Sequence, residues 1–189
     1  MLRNALLPIL LVSFAVVHSP SVHAQDYTPD QKVVSAVSKI KVGLAQALSL
    51  VQSPAVPISA KYEIEDKPSG RLSLSIYVAS HGLHNSAAST WKEMAGSPET
   101  VPWKPTIETL TDAGDIAAAT AQIKLLAKTH VTLAQIAKHA QSDVKGTIIS
   151  ITPVSESGRA RFVVFVANGG TAREIDYDLF SGRLPALPH

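Results

Sequence analysis

The chain has 189 residues, with 17 Lys and Arg against 15 Asp and Glu and no cysteine. Disulfides, thiolate metal sites and thiol nucleophiles are therefore excluded, as is a lipid-modified cysteine at a processed N-terminus. The near balance of charge gives no case for a nucleic-acid partner.

Residues 1–24 have the order of a secretory signal peptide: Arg3, then a 13-residue apolar run from Ala5 to Val17, a polar break at His18-Ser19-Pro20-Ser21, and Val22-His23-Ala24. The run is short for a bilayer span, which favours cleavage after Ala24 over an uncleaved anchor. The remaining 165 residues carry 16 basic and 15 acidic side chains, since only Arg3 is lost. That length suits one domain or two very small ones. The expected location is periplasmic or secreted, with no stable membrane anchor after cleavage.

The mature chain opens on Thr28-Pro29-Asp30-Gln31, which predicts a helix capped by Thr28, with Pro29 at its first position and Gln31 completing a capping box. An apolar stripe from Val33 to Val51 continues it, with a bend at Gly43 and a stop at Ser53-Pro54. Strict alternation follows. Ile58, Ala60, Tyr62 and Ile64 face one way, and Ser59, Lys61, Glu63 and Glu65 the other, as in a half-exposed strand. Lys67-Pro68-Ser69-Gly70 is a turn, and Leu72, Leu74, Ile76 and Val78 form the return strand with Ser73 and Ser75 outward. Residues 81–110 are irregular, with a short strand expected from Thr90 to Met94 and an extended Pro102-Trp103-Lys104-Pro105.

Asp112 starts a second helical region, and Thr132 with Gln135 three residues later starts another. Ile149 and Ile151 lie on a strand that meets Pro153, which predicts an edge position or a strand end there. Phe162 to Val166 is apolar on both faces and reads as the most buried strand. Ile175, Tyr177 and Leu179 alternate with Asp176 and Asp178 in a last strand, closed by a turn at Ser181-Gly182.

The chain also echoes itself. Val42-Gly43-Leu44-Ala45-Gln46-Ala47 returns 89 residues later as Val131-Thr132-Leu133-Ala134-Gln135-Ile136. Ser69-Gly70-Arg71 returns 88 residues later as Ser157-Gly158-Arg159, with the one-residue difference absorbed at Pro68 in a turn. The fold class expected is α+β, built from two repeated units of helix plus antiparallel sheet, spanning 25–110 and 111–189.

The stretch from Thr132 to Leu184 resembles a PepSY domain. The likeness rests on the capped Leu133-Ala134-x-x-Ala137 helix, the Gly158 hairpin, and a third strand ending Tyr177-Asp178 then Ser181-Gly182-Arg183-Leu184. Gly43 to Ala79 resembles a degenerate second copy that lacks the Asp…Gly ending. The resemblance implies a non-enzymatic protein of the bacterial envelope. Such domains occur in peptidase pro-regions with a proposed inhibitory or chaperone role, so the partner implied is an envelope peptidase or another envelope protein. No cofactor is expected.

Each group of candidate site residues has a structural and a functional reading. His81 and His84, three apart in a loop, suit a transition metal by residue type, but the ligand count favours solvated side chains. Arg71, Arg159 and Arg183 each follow Ser-Gly and form an anion-facing rim if the turns cluster; otherwise they flank turns in solvent. Trp103 between prolines is either an exposed ligand-binding anchor or a staple holding the linker to the sheet. Asp176 and Asp178 suit calcium or acid–base work, but a bond from Asp178 to the Ser181-Gly182 turn fits better. No Gly-x-Ser-x-Gly elbow and no glycine-rich phosphate loop are present. The binding reading leads, and a small-ligand or metal-binding envelope protein is the alternative.

The repeat makes Leu74 and Phe162 equivalent core positions. Leu74→Ala and Phe162→Ala should each lose about 2–5 kcal/mol in chemical unfolding. Near-neutral values for both would refute the register.

Overall fold

The computed structural model describes residues 28–65, 70–84 and 91–185. Seven strands form one antiparallel sheet: β1 (Val56–Ile64), β2 (Leu72–Ala79), β3 (Trp91–Gly96), β4 (Thr106–Thr109), β5 (Thr147–Glu156), β6 (Arg159–Asn168) and β7 (Thr171–Asp178). Their order is β4-β3-β2-β1-β5-β6-β7. Four α-helices accompany them: α1 (Gln31–Ala36), α2 (Leu44–Leu48), α3 (Ala113–Leu126) and α4 (Leu133–Asp143). The fold is α+β, as expected. β5 lies beside β1 through Ala60 opposite Ile151 and Lys61 opposite Ser150.

One face of the sheet carries the aliphatic and aromatic core. Ala60, Tyr62, Leu74, Ile76, Ile151, Phe162, Val164 and Tyr177 are all fully buried. Full burial of each large side chain is worth roughly 1.5–3 kcal/mol, so this row dominates the stability. Two tyrosines tie it to the chain above. Tyr62 Oη donates to Val42 O at 2.8 Å, ahead of α2, and Tyr177 Oη donates to Asp143 Oδ2 at 3.1 Å at the end of α4. A phenol buried on such a sheet needs a partner of this kind.

The second face is covered as well. Ser75 and Ser150 alternate with core residues yet are 0 % and 1 % exposed. α3 packs against both β1 and β5, and its Asp115 acts on the Tyr77 phenol, which lies on this second face. Burial pushes that phenol's pKa up first, with Glu63, Glu93 and Asp115 adding to the shift. The half-exposed expectation for β1 and the outward placement of Ser73 and Ser75 are corrected accordingly. Small serines let the Ala-rich α3 approach the sheet closely.

Four further expectations change. The first helix is capped by Asp30, whose Oδ1 accepts from Lys32 N at 2.8 Å, with Thr28 and Pro29 ahead of it. A carboxylate acceptor is a stronger cap than a hydroxyl. The helix also does not bend at Gly43 but stops, passes through a short 3-10 turn at Val37–Lys39, and resumes as α2. Lys41 N and Val42 N both donate to Pro98 O, at 2.9 and 3.0 Å, so tertiary partners take groups a continuous helix would use. β5 neither ends at Pro153 nor lies at an edge: it runs on to Glu156 between β1 and β6. Its registered pairs with β1 stop at Ile151, so the missing N–H of Pro153 falls beyond that ladder. β6 is less buried than expected, because Val163 and Phe165 are only half-covered on the second face. β4 was not expected at all; its four residues are all exposed and carry no burial pattern.

Gly146, between α4 and β5, has φ +138°, and a Cβ there would run into Ala167 O and Val166 Cγ1. Gly158, in the β5–β6 turn, has φ +79° but open space around it. Gly146→Ala should therefore lose about 3 kcal/mol and Gly158→Ala about 1 kcal/mol in urea unfolding. Equal losses would contradict this packing.

Candidate functional site

β1 and β5 run antiparallel, so the Ile64–Leu72 end of the β1–β2 pair and the β5–β6 turn lie at opposite ends of the sheet. Arg71 is exposed at one end, and Arg159 and Arg183 are exposed at the other. The three-arginine rim does not form, because Arg71 is at the other end of the sheet from Arg159 and Arg183. The end that holds Arg159 instead contains a pocket of about 450 Å³. Arg159 and Arg161 of β6, Asp176 and Asp178 of β7, and Phe180, Ser181 and Leu184 of the following loop line it.

Arg161 organises the wall of this pocket. It sits opposite Asp178 in the β6–β7 ladder and on the same face as Asp176. Its Nη2 donates to Glu156 Oε2 at 2.9 Å and lies 3.8 Å from Glu174 Oε1. Its Nε is 3.0 Å from Asp176 Oδ1, an ion pair by distance whose N–H is off the hydrogen-bond direction. The side chain is about one-fifth exposed, so these pairs are partly screened by solvent.

The floor is a tight turn. Asp178 Oδ1 accepts from Phe180 N at 3.1 Å, Ser181 N at 2.8 Å and Ser181 Oγ at 2.8 Å. Gly182 N donates to Asp178 O at 2.9 Å, and Asp178 N donates to Arg183 O at 2.8 Å. The bond of Asp178 to the turn backbone is thus as expected. The Ser181 backbone N–H, and then its hydroxyl, hold the Asp178 carboxyl below the usual carboxylate range, with Phe180 N and the charge of Arg159 adding to the effect.

The turn is fastened to α4 and to the connection that precedes it. Thr129 Oγ1 donates to Leu179 O at 2.7 Å. His139 Nδ1 lies 2.7 Å from Gly182 O, so that nitrogen carries the proton. A Cβ at Gly182, where φ is +64°, would stand 3.0 Å from Val131 Cγ1. With the turn pinned on this side, Phe180 and Leu184 project outward and are 59 % and 46 % exposed. Leu50, Val101 and Ile107 are exposed to a similar degree, but of these five only Phe180 and Leu184 line the pocket.

The remaining candidates lie elsewhere. His81 and His84 are exposed in the turn after β2, and among the described residues no group of three metal-ligating side chains is assembled. Trp103 is only 6 % exposed and Trp91 3 %. A Cβ at Gly96 would stand 3.1 Å from Trp103 Nε1, so the glycine leaves room for the indole against β3. The ring is a staple in this structure and presents no anchor, because its burial outweighs any extended presentation by the prolines. Lys61 Nζ pairs with Glu63 Oε2 at 2.7 Å and stands 5.6 Å from the Tyr77 ring centre, a polar cluster on the sheet face that α3 covers.

Arg161, Phe180 and His139 were missed by sequence reading. Arg161 had a signal: Arg159 and Arg161 alternate just as Asp176 and Asp178 do, which is the pattern of cross-strand charge pairs. His139 had none, since its partner lies 43 positions away.

No family model and no curated protein matches the chain. A crystal structure of a candidate lipoprotein from Clostridium difficile 630 is similar, at 14% identity and a TM-score of 0.39, over 78% of this chain and 92% of that one.

The Asp178 carboxyl has a lower pKa folded than unfolded. Its contribution is therefore full above the unfolded value of about 3.9 and is lost as pH falls through the folded one. Asp178→Ala should cost about 1 kcal/mol at pH 7, discounted for its partial exposure. The gap to the parent should narrow below about pH 4. Thermal melts at pH 7 and pH 3 check both; an unchanged gap would show that the carboxylate charge is not what holds the turn.

Proposed function

We propose that the chain is a tandem of two PepSY-like units, exported to the cell envelope, that binds another protein and performs no catalysis of its own. The observation that carries the binding reading is the pairing of exposed Phe180 and Leu184 with the ion-paired pocket at the end of β6 and β7. Apolar anchors beside a polar rim are the make-up of a protein-binding surface. The tandem reading draws support from the strand order, which runs β1-β2-β3 and β5-β6-β7 outward from the β1–β5 junction. It also draws on α2 and α4, which begin at Leu44 and Leu133, the matched leucines of the repeat. Export rests on residues 1–24, and the resemblance points to an envelope peptidase as the first partner to test.

The test is crosslinking capture from envelope extract with the mature chain, beside the variant Phe180→Ser combined with Leu184→Ser. Capture of a defined protein by the parent, lost in the variant, supports the proposal. Absence of any captured protein, with envelope peptidase activity unchanged on addition of the chain, overturns it. A pocket of about 450 Å³ is also within the size range of small-molecule sites. Native mass spectrometry of protein isolated from the envelope distinguishes this reading: a retained small molecule lost in Arg159→Ala would favour it.

A further inference from the structure

β7 is the last strand of the sheet, and among the described residues nothing pairs with its outer side along Thr171 to Asp176. Leu179 N donates inward to Ala160 O, whereas Asp178 N donates outward to Arg183 O. Alternation then sets the direction of the rest. The N–H and C=O groups of Ala172, Glu174 and Asp176 all point away from β6, into the open edge.

Among the described residues, the chain's own continuation does not fill this edge. The bonds between Asp178 and Gly182-Arg183 bring the chain back beside β7. The next residue in position to pair with Asp176 is Pro185, which has no N–H to give. A second copy is also a poor fit. Around a two-fold axis, antiparallel registers centred on Arg173, Glu174 or Ile175 set Arg173 against Arg173, Glu174 against Glu174, or Glu174 against Asp176, and one centred on Ala172 overlaps only Thr171 to Arg173 of each strand. Like charges directly opposite are destabilising. The same acidic row has the opposite effect on a basic strand. Glu174, Asp176 and Asp178 share one face with Glu156, against Arg159 and Arg161, so this face of the edge is acid-rich. The opposite face of the edge offers half-buried Ile175, with exposed Arg173 beside it.

We infer that the free edge of β7 accepts an extended segment of a partner protein as an eighth strand. The partner strand carries Lys or Arg at every second position, opposite Glu174 and Asp176, and apolar residues between them beside Ile175. Main-chain bonds to Ala172, Glu174 and Asp176 supply the affinity and the alternate cations supply the register. The strand leads directly to the pocket where Phe180 and Leu184 stand exposed. The inference rests on the protein-binding reading above and assigns the chemistry of the partner.

The probes are two labelled nine-residue peptides, one alternating Lys with Val and the other Glu with Val. Fluorescence anisotropy with the mature chain should show binding of the Lys peptide about tenfold or more tighter than of the Glu peptide, weakened by added salt. Amide hydrogen exchange should slow at Ala172, Glu174 and Asp176 when the Lys peptide is present. Glu174→Pro removes an outward N–H and should abolish the protection. If that variant is unstable, Glu174→Lys should lower the preference for the Lys peptide at unchanged melting temperature. No binding, equal binding of the two peptides, protection elsewhere, or an unchanged preference in Glu174→Lys would each overturn the inference. Envelope capture separates the two claims. A partner captured equally by the parent and by Glu174→Lys sinks the edge assignment and leaves the binding reading standing; no captured partner sinks the binding reading.

Discussion

Two residue pairs, Ala60 with Ile151 and Lys61 with Ser150, register the strand that joins the two halves of this molecule. A ladder that short contributes only a few hydrogen bonds, each worth about 1 kcal/mol net. It would not hold a seven-stranded sheet together alone. The helices close the gap, because α2, α3 and α4 each touch both β1 and β5. α2 and α4 also touch each other across the junction, and α3 bears on the other side of the sheet. The junction is thus clamped from both faces, and the small side chains of Ala60, Ser75 and Ser150 permit that close approach.

The clamp explains where polar groups are tolerated inside the molecule. Tyr62 and Tyr177 are on the core face, and each reaches a partner at the end of a helix or loop rather than within the sheet. On the other face, Ser75 Oγ donates to Glu63 Oε1 at 2.7 Å, so the serine that makes room for α3 also holds a carboxylate beside Lys61. Polar side chains are accommodated where they finish a contact between layers, and the aliphatic rows between them supply the energy.

The pocket at the end of β6 and β7 owes its shape to α4 and the connection that precedes it. Thr129 and His139 hold the carbonyls of Leu179 and Gly182 from one side, while Asp178 gathers the amides of Phe180 and Ser181 from the other. A turn held from both sides has few rearrangements open to it, and Phe180 and Leu184 stay outward at little ordering cost. That is the condition under which exposed apolar groups serve binding.

Local signals were legible in the sequence wherever one short stretch satisfied itself. Thr132 and Gln135 form a full capping box, Asp112 caps α3, and Asp178 closes its own turn; in each case the partners lie within three residues. The apolar alternation likewise identified the core face of β1 and β2 from Ile58 to Val78. What the sequence left undecided depended on distant partners. The break after α1 exists because Pro98 takes the amides of Lys41 and Val42, and Tyr62 reaches Val42 from 20 residues away. Pro153 sits inside the sheet because the ladder with β1 has already ended. The arginines were separated into two ends by the antiparallel joining of β1 and β5, a choice that no local pattern encodes. Periodicity and capping are properties of a segment and can be read from it. Which segments become neighbours is settled by burial of their faces against one another, and only the folded chain resolves that competition.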